Sequence, residues 1–280
     1  MKVDEAKKES VILFEASGNV RFPDNFIHLY HTHIYCHRGS TEFVFNDKRY
    51  KCKAGEFVFW FADSRLADMT FSKNFKASVL LVEKEFLYDN LPDISRSIDA
   101  TLHSKEYPVL HLNEKEDRQR VLLNFQLLHD KSIQKEHLFY KEVLKLQMRL
   151  FILEMWHAFA NEIEHRKRTM QSGTLYERFV QLVQEHCKKE REVQFYAQQL
   201  HITPKYLNHI CKTTSGITAS EWIQRYVRER LELLLQNKQL NIAEIADEME
   251  FSSRSFFTRY VKKVLGVTPS EFRNRMAGNS

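Results

Sequence analysis

Apolar and polar residues alternate along the first third of the chain and then give way to a helical period. In residues 42–61, EFVFNDKRYKCKAGEFVFWF, Phe43, Phe45, Tyr50 and Cys52 fall on one face of two runs separated by Asn46-Asp47. Alternation on both sides of a turn pair predicts a β-hairpin. FKASVLLVEKEFL, residues 75–87, predicts another strand that passes into helix. Residues 11 to about 83 therefore read as an antiparallel all-β unit, a small barrel or sandwich. From Glu114 the period lengthens: Val121, Leu122, Phe125 and Leu128 suit one helix. A longer helix follows, with Phe139, Val143, Leu146, Leu150 and Leu153 spaced four-three-four-three on one seam. Leu144, Phe151, Ile152, Met155, Trp156 and Phe159 widen that seam. A helix this apolar must bury most of its circumference. It can pack on its own β unit or on the same helix of a second subunit. The second arrangement makes the seam a dimerisation surface. Residues 161–174, NEIEHRKRTMQSGT, are polar and end in Ser172-Gly173-Thr174, the composition of an inter-domain linker. Beyond them the pattern is helical.

The last hundred residues contain a repeat. YLNHICKTTSGITASEW from Tyr206 matches FFTRYVKKVLGVTPSEF from Phe256 at an offset of 50. Lys212 meets Lys262, Gly216 meets Gly266, Thr218 meets Thr268, and Glu221 meets Glu271. Upstream the offset is 49, so that Ala197 meets Ala246 and Ile202 meets Phe251. Two similar units in tandem follow. Each reads as helix, tight turn, helix. In the first, VQFYAQQL leads; Thr203 caps the next helix and Pro204 sits in its first turn, where a missing N–H is harmless. In the second, Asn241 caps IAEIADEM, and Ser252 or Ser253 caps RSFFTRYVKKVL. That last helix is expected to bury Phe256 or Phe257, with Tyr260, Val261 and Leu265.

The outward faces of the two second helices carry similar chemistry. The first shows Lys205, Asn208, His209 and Lys212; the second shows Arg254, Ser255, Thr258, Arg259 and Lys262. A helix fits the major groove of duplex DNA, and its first turns reach base edges. Arg pairs with two guanine acceptors and Asn with adenine, while lysines further along neutralise phosphates without reading sequence. A polar face on one helix is ordinarily only solvated. Its recurrence after a capped turn in both repeats points to double-stranded DNA.

Composition changes this picture little. The net charge of +5 is a modest excess of 42 basic over 37 acidic residues. Residues 174–280 hold 16 basic and 12 acidic side chains, so most of the excess lies there. Cys36, Cys52, Cys187 and Cys211 are far apart, and no Cys-x-x-Cys pair exists, so neither a zinc site nor a thioredoxin-like motif is expected. No apolar run approaches membrane-spanning length, and Met1–Ser10 lack the apolar core of a signal peptide. A cytoplasmic protein without membrane partners is the expectation. No phosphate loop or nucleophile elbow is present, and no enzymatic activity is expected.

Ile242 to Arg273, IAEIADEMEFSSRSFFTRYVKKVLGVTPSEFR, resembles the signature of AraC-type transcription regulators. Ile245-Ala246, Phe251-Ser252, Phe257-Thr258-Arg259, Gly266-Val267-Thr268-Pro269 and Phe272-Arg273 carry the likeness. Glu250 stands where the family has Gly, and Val261 where it has Phe. The Gly position is a turn where φ > 0 is easiest without a Cβ, and Glu there costs about 1 kcal/mol of strain. The resemblance covers roughly residues 175–276. It implies two helix-turn-helix subdomains joined by a long helix near Ala219 to Gln236, with recognition helices in successive major grooves about 34 Å apart. It also implies a homodimer, a small-molecule effector and, for an activator, RNA polymerase as partner.

The N-terminal part resembles, more weakly, the cupin-like arm of such regulators. His28, His31, His33 and His37 form a tempting metal cluster. Convergent geometry and a further ligand are needed, and the second cupin motif lacks its His, so no metal or other cofactor is expected. The expected architecture is α+β. A cupin-like antiparallel β domain with a helical dimerisation segment spans 1–160, a linker 161–174, and an all-α double helix-turn-helix domain 175–280. Competing readings are a cupin-class enzyme with a nucleic-acid domain, a DNA-repair methyl acceptor, and a structural or RNA-binding protein. Absent metal ligands weigh against the first, cysteine spacing against the second, and missing aromatic stacking motifs against the third.

Overall fold

A computed structural model describes residues 9–18, 22–91, 94–112, 115–171, 173–237 and 240–277. Residues 1–8, where no signal-peptide core is expected, and Ser172 of the expected linker lie outside them. The chain divides into two compact units, Met1–Asp93 with His103–Ile163, and Ile94–Leu102 with Glu164–Ser280.

The first unit is built on two antiparallel sheets. Strands β1 (Val11–Ser17), β2 (Tyr30–Arg38), β5 (Glu56–Trp60), β7 (Lys76–Glu83) and β8 (Val109–His111) form one, in the order β1-β7-β2-β5-β8. Strands β3 (Ser40–Phe45), β4 (Lys48–Lys53) and β6 (Leu66–Phe71) form the other, in the order β4-β3-β6. The predicted hairpin joins β3 and β4, with Phe43 opposite Tyr50 and Thr41 opposite Cys52. Asn46 and Asp47 both have positive φ, 48° and 65°. Two such residues in a two-residue loop match the right-handed twist of the flanking strands.

The larger sheet is covered on both faces. One face meets the smaller sheet in a core that includes Ile34, Val58, Trp60 and Val79 from the first sheet and Phe43 and Phe45 from the second. These aromatic side chains are packed core. The other face meets two helices, α4 (Lys115–Ile133) and α5 (Tyr140–Gln171). Two-sided burial explains why β2 and β7 are buried almost throughout, whereas β3 alternates. Short helices α1 (Phe26–Leu29) and α2 (Lys84–Tyr88) flank the strands.

Helix α5 divides its apolar residues between two faces. Leu144, Met148, Phe151, Ile152 and Met155 pack in the core with Phe57, Phe59, Leu80 and Val82 of the sheet. Each such burial contributes roughly 1.5–3 kcal/mol. The four-three seam faces away: Phe139 is 63% exposed, Leu146 67%, Leu150 47% and Leu153 48%, with Val143 half-buried. The helix also runs through most of the segment expected to be a linker, ending at Gln171. Residues 161–171 hold Glu, Arg, Lys, Met and Gln and no Gly or Pro, so propensity favours helix despite the polarity. Glu164 and Arg168 add an ion pair one turn apart, at 3.8 Å.

The second unit is helical. It contains α6 (Leu175–His186), α7 (Val193–Gln199), α8 (Pro204–Ser215), α9 (Ala219–Gln236), α10 (Ile242–Glu248), α11 (Arg254–Leu265) and α12 (Pro269–Ala277). The nine residues Ile94–Leu102, the first part of α3 (Ile94–Glu106), also belong to it. Ile98 and Leu102, 3% and 2% exposed, join a core with Phe179, Trp222, Val227 and Phe257. Arg230 is fully buried in this unit; its Nη1 donates to Asp99 Oδ1 at 2.6 Å. Among the described residues no helix is long and apolar enough to cross a membrane.

Candidate nucleic-acid interface

Each half of the second unit presents one helix in the same local frame. Thr203 Oγ1 accepts from the Tyr206 N–H, and Ser253 Oγ accepts from the Phe256 N–H, both at 3.2 Å. These hydroxyls cap α8 and α11. Both helices end at a glycine in the left-handed conformation, Gly216 at φ 80° and Gly266 at φ 77°. The next helix in each half starts on a reciprocal Thr–Glu pair. Thr218 N–H donates to Glu221 Oε2 at 2.8 Å, and Thr268 N–H to Glu271 Oε2 at 2.7 Å. Backbone and hydroxyl donors hold both carboxyls below their ordinary pKa, helped by Lys212 and Lys262 nearby. The repeated Gly, Thr and Glu are thus structural. They fix where α8 and α11 end and where the next helix begins.

The two preceding turns are also alike. His201 and Glu250 both adopt positive φ, at 57° and 51°. Between the halves runs α9, whose 18 residues span roughly 27 Å. It packs against α7 and α8 on one side of the repeat and α10, α11 and α12 on the other. Arg191 adds a further tie, its guanidinium lying over the rings of Phe251 at 4.0 Å and Tyr260 at 5.2 Å.

The sequence-predicted readers fall on the outer faces of these helices with two qualifications. Lys205, His209 and Lys212 on α8 are exposed, as are Arg254, Ser255, Arg259 and Lys262 on α11. Thr258 is half-buried. Asn208 is half-buried too, and its Oδ1 accepts from the Ala219 N–H at 3.0 Å, so the oxygen is committed to the start of α9. Two-point pairing with adenine needs that oxygen, and in this arrangement Asn208 acts as a clasp between helices. Leu207 and Cys211, like Phe257 and Val261, point inward.

Three cations elsewhere in the unit are paired, Arg225 with Glu229, Arg228 with Glu232 and Lys188 with Glu248. Lys205, Arg254, Arg259 and Lys263 form no ion pair among the described residues. Three residues of the surface escape the sequence pattern: Lys263, Tyr206 and Phe256. Tyr206 is 50% exposed and Phe256 47%. The repeat held the signal for the last two, because it sets Leu207 against Phe257 and Tyr206 against Phe256.

The four histidines near the N-terminus do not converge. His28 Nδ1 lies 3.0 Å from Asp63 Oδ1. His31 is buried, with Nδ1 accepting from the Ala62 N–H at 3.1 Å. His33 is wrapped by Phe57, Phe59, Phe125 and Phe151. Burial lowers the pKa of His31 to about 4 and that of His33 to about 3, so both are neutral. His37 Nε2 is 2.7 Å from Ser78 Oγ. No group of three or more His, Cys, Asp or Glu among the described residues is placed to hold a metal ion. All four cysteines are buried thiols, and burial raises Cys187 to about 11 and Cys211 to about 12.

Two capped helices, α8 and α11, braced on one long helix define a helix-turn-helix domain of the kind DNA-binding transcription regulators carry. Residues 196–275 match the helix-turn-helix domain family. Over 83 residues the chain is 31% identical to the Msm operon regulatory protein of Streptococcus mutans, covering 30% of each. Over 77 residues it is 31% identical to the arabinose operon regulatory protein of Escherichia coli, covering 28% of this chain and 26% of that one. The chain therefore spans less than a third of the length of either relative. Unsaturated-fatty-acid-bound ToxT from Vibrio cholerae aligns over 94% of both chains, at 15% identity and a TM-score of 0.30.

Proposed function

We propose that the protein is a sequence-specific DNA-binding transcription regulator whose first unit takes an effector. The observation that carries this reading is the repeated face, where exposed basic side chains stand on two helices that begin and end with the same caps. Arg254 and Arg259 are the base readers of the second helix, with Ser255 and Thr258 beside them. Lys205 and His209 serve the first, and Lys212 and Lys262 meet phosphates. Asn208 contributes indirectly, by holding α8 to α9.

The exposed seam of α5 supports a homodimer. Phe139, Leu146, Leu150 and Leu153 make a larger apolar stripe than scattered surface residues do. Self-pairing would cover it and bring four recognition helices to paired half-sites. A cleft of about 440 Å³ in the first unit is the place for an effector. Leu13, Leu122 and Phe125 give it apolar walls, and Glu15, His37 and Ser78 give it polar anchors.

The test is binding of the full-length chain to duplexes from upstream of its own and neighbouring operons, over a range of salt. Preference for one duplex, weakening linearly with log salt, is the expected result. Equal affinity for all duplexes, or none at low ionic strength, overturns the reading.

A further inference from the structure

Among the described residues of the second unit, two large hydrophobic side chains are exposed, Tyr206 and Phe256. They are the same position in the two repeats. Each is the third residue of its helix, one place before a fully buried residue, Leu207 or Phe257. Each has its backbone N–H held by the capping hydroxyl three residues earlier. Phe256 rests one ring edge on Phe251, at a centroid distance of 5.6 Å, and leaves its remaining surface outward. A single exposed aromatic needs no explanation. Two at one repeated position, in a unit that otherwise buries such side chains, call for a ligand with an apolar group at a repeated place.

The neighbours say what kind of ligand. Lys205 and His209 flank Tyr206, and Arg254 and Arg259 flank Phe256, all exposed. Such a surface fits a polyanion that also offers apolar contact in the groove. In the major groove of DNA the base edges present one apolar group, the C5-methyl of thymine. We propose that Tyr206 and Phe256 are specificity-determining residues that pack on thymine methyls, one in each of two major grooves. The operator then carries a thymine at the same place in two segments about one helical turn apart. The inference rests on the DNA-binding reading and adds what it does not contain, the base identity and the group recognised. The contact is dispersive and hydrophobic, so the Tyr206 hydroxyl is not required.

The experiment starts from a duplex enriched by the full-length protein from a randomised library. That duplex is synthesised with each thymine replaced in turn by deoxyuridine, which removes one methyl and leaves every hydrogen-bonding group. Two replacements, about one turn apart, should each weaken binding about fourfold, equivalent to ~0.8 kcal/mol for one buried carbon group. In Tyr206→Ala the loss at one of the two thymines should vanish, and in Phe256→Ala the loss at the other. Tyr206→Phe should retain both. If deoxyuridine is tolerated at every position, or if the methyl effects persist in both alanine variants, the inference is wrong while the enriched sequence keeps the regulator reading intact. If no sequence is enriched, both fall together.

Discussion

His201 and Glu250 hold the same left-handed turn in the two halves of the repeat, at φ 57° and 51°. Neither is glycine, and both side chains are exposed. The strain is therefore stored in the backbone and is not offset by a packed side chain. Glu250→Gly should raise stability by about 1 kcal/mol, and His201→Gly by a similar amount. Urea unfolding of the full chain measures this. A loss of stability in both variants would show that the turn is not strained.

DNA recognition separates into two kinds of residue. Arg259→Ala should cost about 1–3 kcal/mol and relax preference at one base position. Lys262→Ala should weaken all duplexes about equally and lower the salt slope by about one. Titrations with the enriched duplex and with single-base variants of it, at several salt concentrations, distinguish the two. Unchanged affinity in both variants would remove the assigned face.

Stability should fall in mild acid through the buried histidines. His31 and His33 have native pKa values of about 4 and 3, against an unperturbed value of 6.5. Below about pH 6.5 the unfolded chain takes up protons that the folded chain refuses. Each histidine then costs up to about 1.4 kcal/mol per pH unit until the pH nears its native value. Above pH 7 this contribution is flat. Replacing His33 with Leu should lower the proton uptake on unfolding by about one. Unfolding curves at pH 7.5, 6.5 and 5.5 report the slope.

The α5 seam gives a prediction about assembly. Leu146 and Leu150 are 67% and 47% exposed in the single chain, so charging them leaves its core untouched. The double variant Leu146→Asp, Leu150→Asp should sediment as a folded monomer where the parent sediments as a dimer. A parent that is itself monomeric, or a variant that remains dimeric, rules out the seam as the contact.

Local chemistry in the sequence located most of these elements. Asn46-Asp47 marked its hairpin because few residues accept two positive φ angles in succession. Thr203 and Asn241 marked helix starts because their side chains can accept from backbone N–H groups left open there. Phe256 and Phe257 were ambiguous because neighbours on a helix differ by only 100°, and both are apolar. Val261 one turn after Phe257, like Cys211 after Leu207, decides the matter. The segment 161–171 is helical, which its polarity did not signal but its strong helix formers do, and the boundary between the two units falls within it. Asn208 looked like a reader because its partner, the Ala219 N–H, lies eleven residues on and reaches it only through the way α8 meets α9. The place of Ile98 and Leu102 in the second core has no local signature, since it depends on contacts far apart in the chain.

Those two side chains bear on how the DNA-binding part can be isolated. A fragment beginning at Glu164 would omit Ile98, Leu102 and Asp99. It would bare the hydrocarbon those residues cover and leave the buried Arg230 guanidinium only its more distant carboxylate, Glu248 at 4.0 Å. Such a truncated protein should aggregate or bind an apolar dye, and supplying residues 94–102 as a separate peptide should restore its solubility.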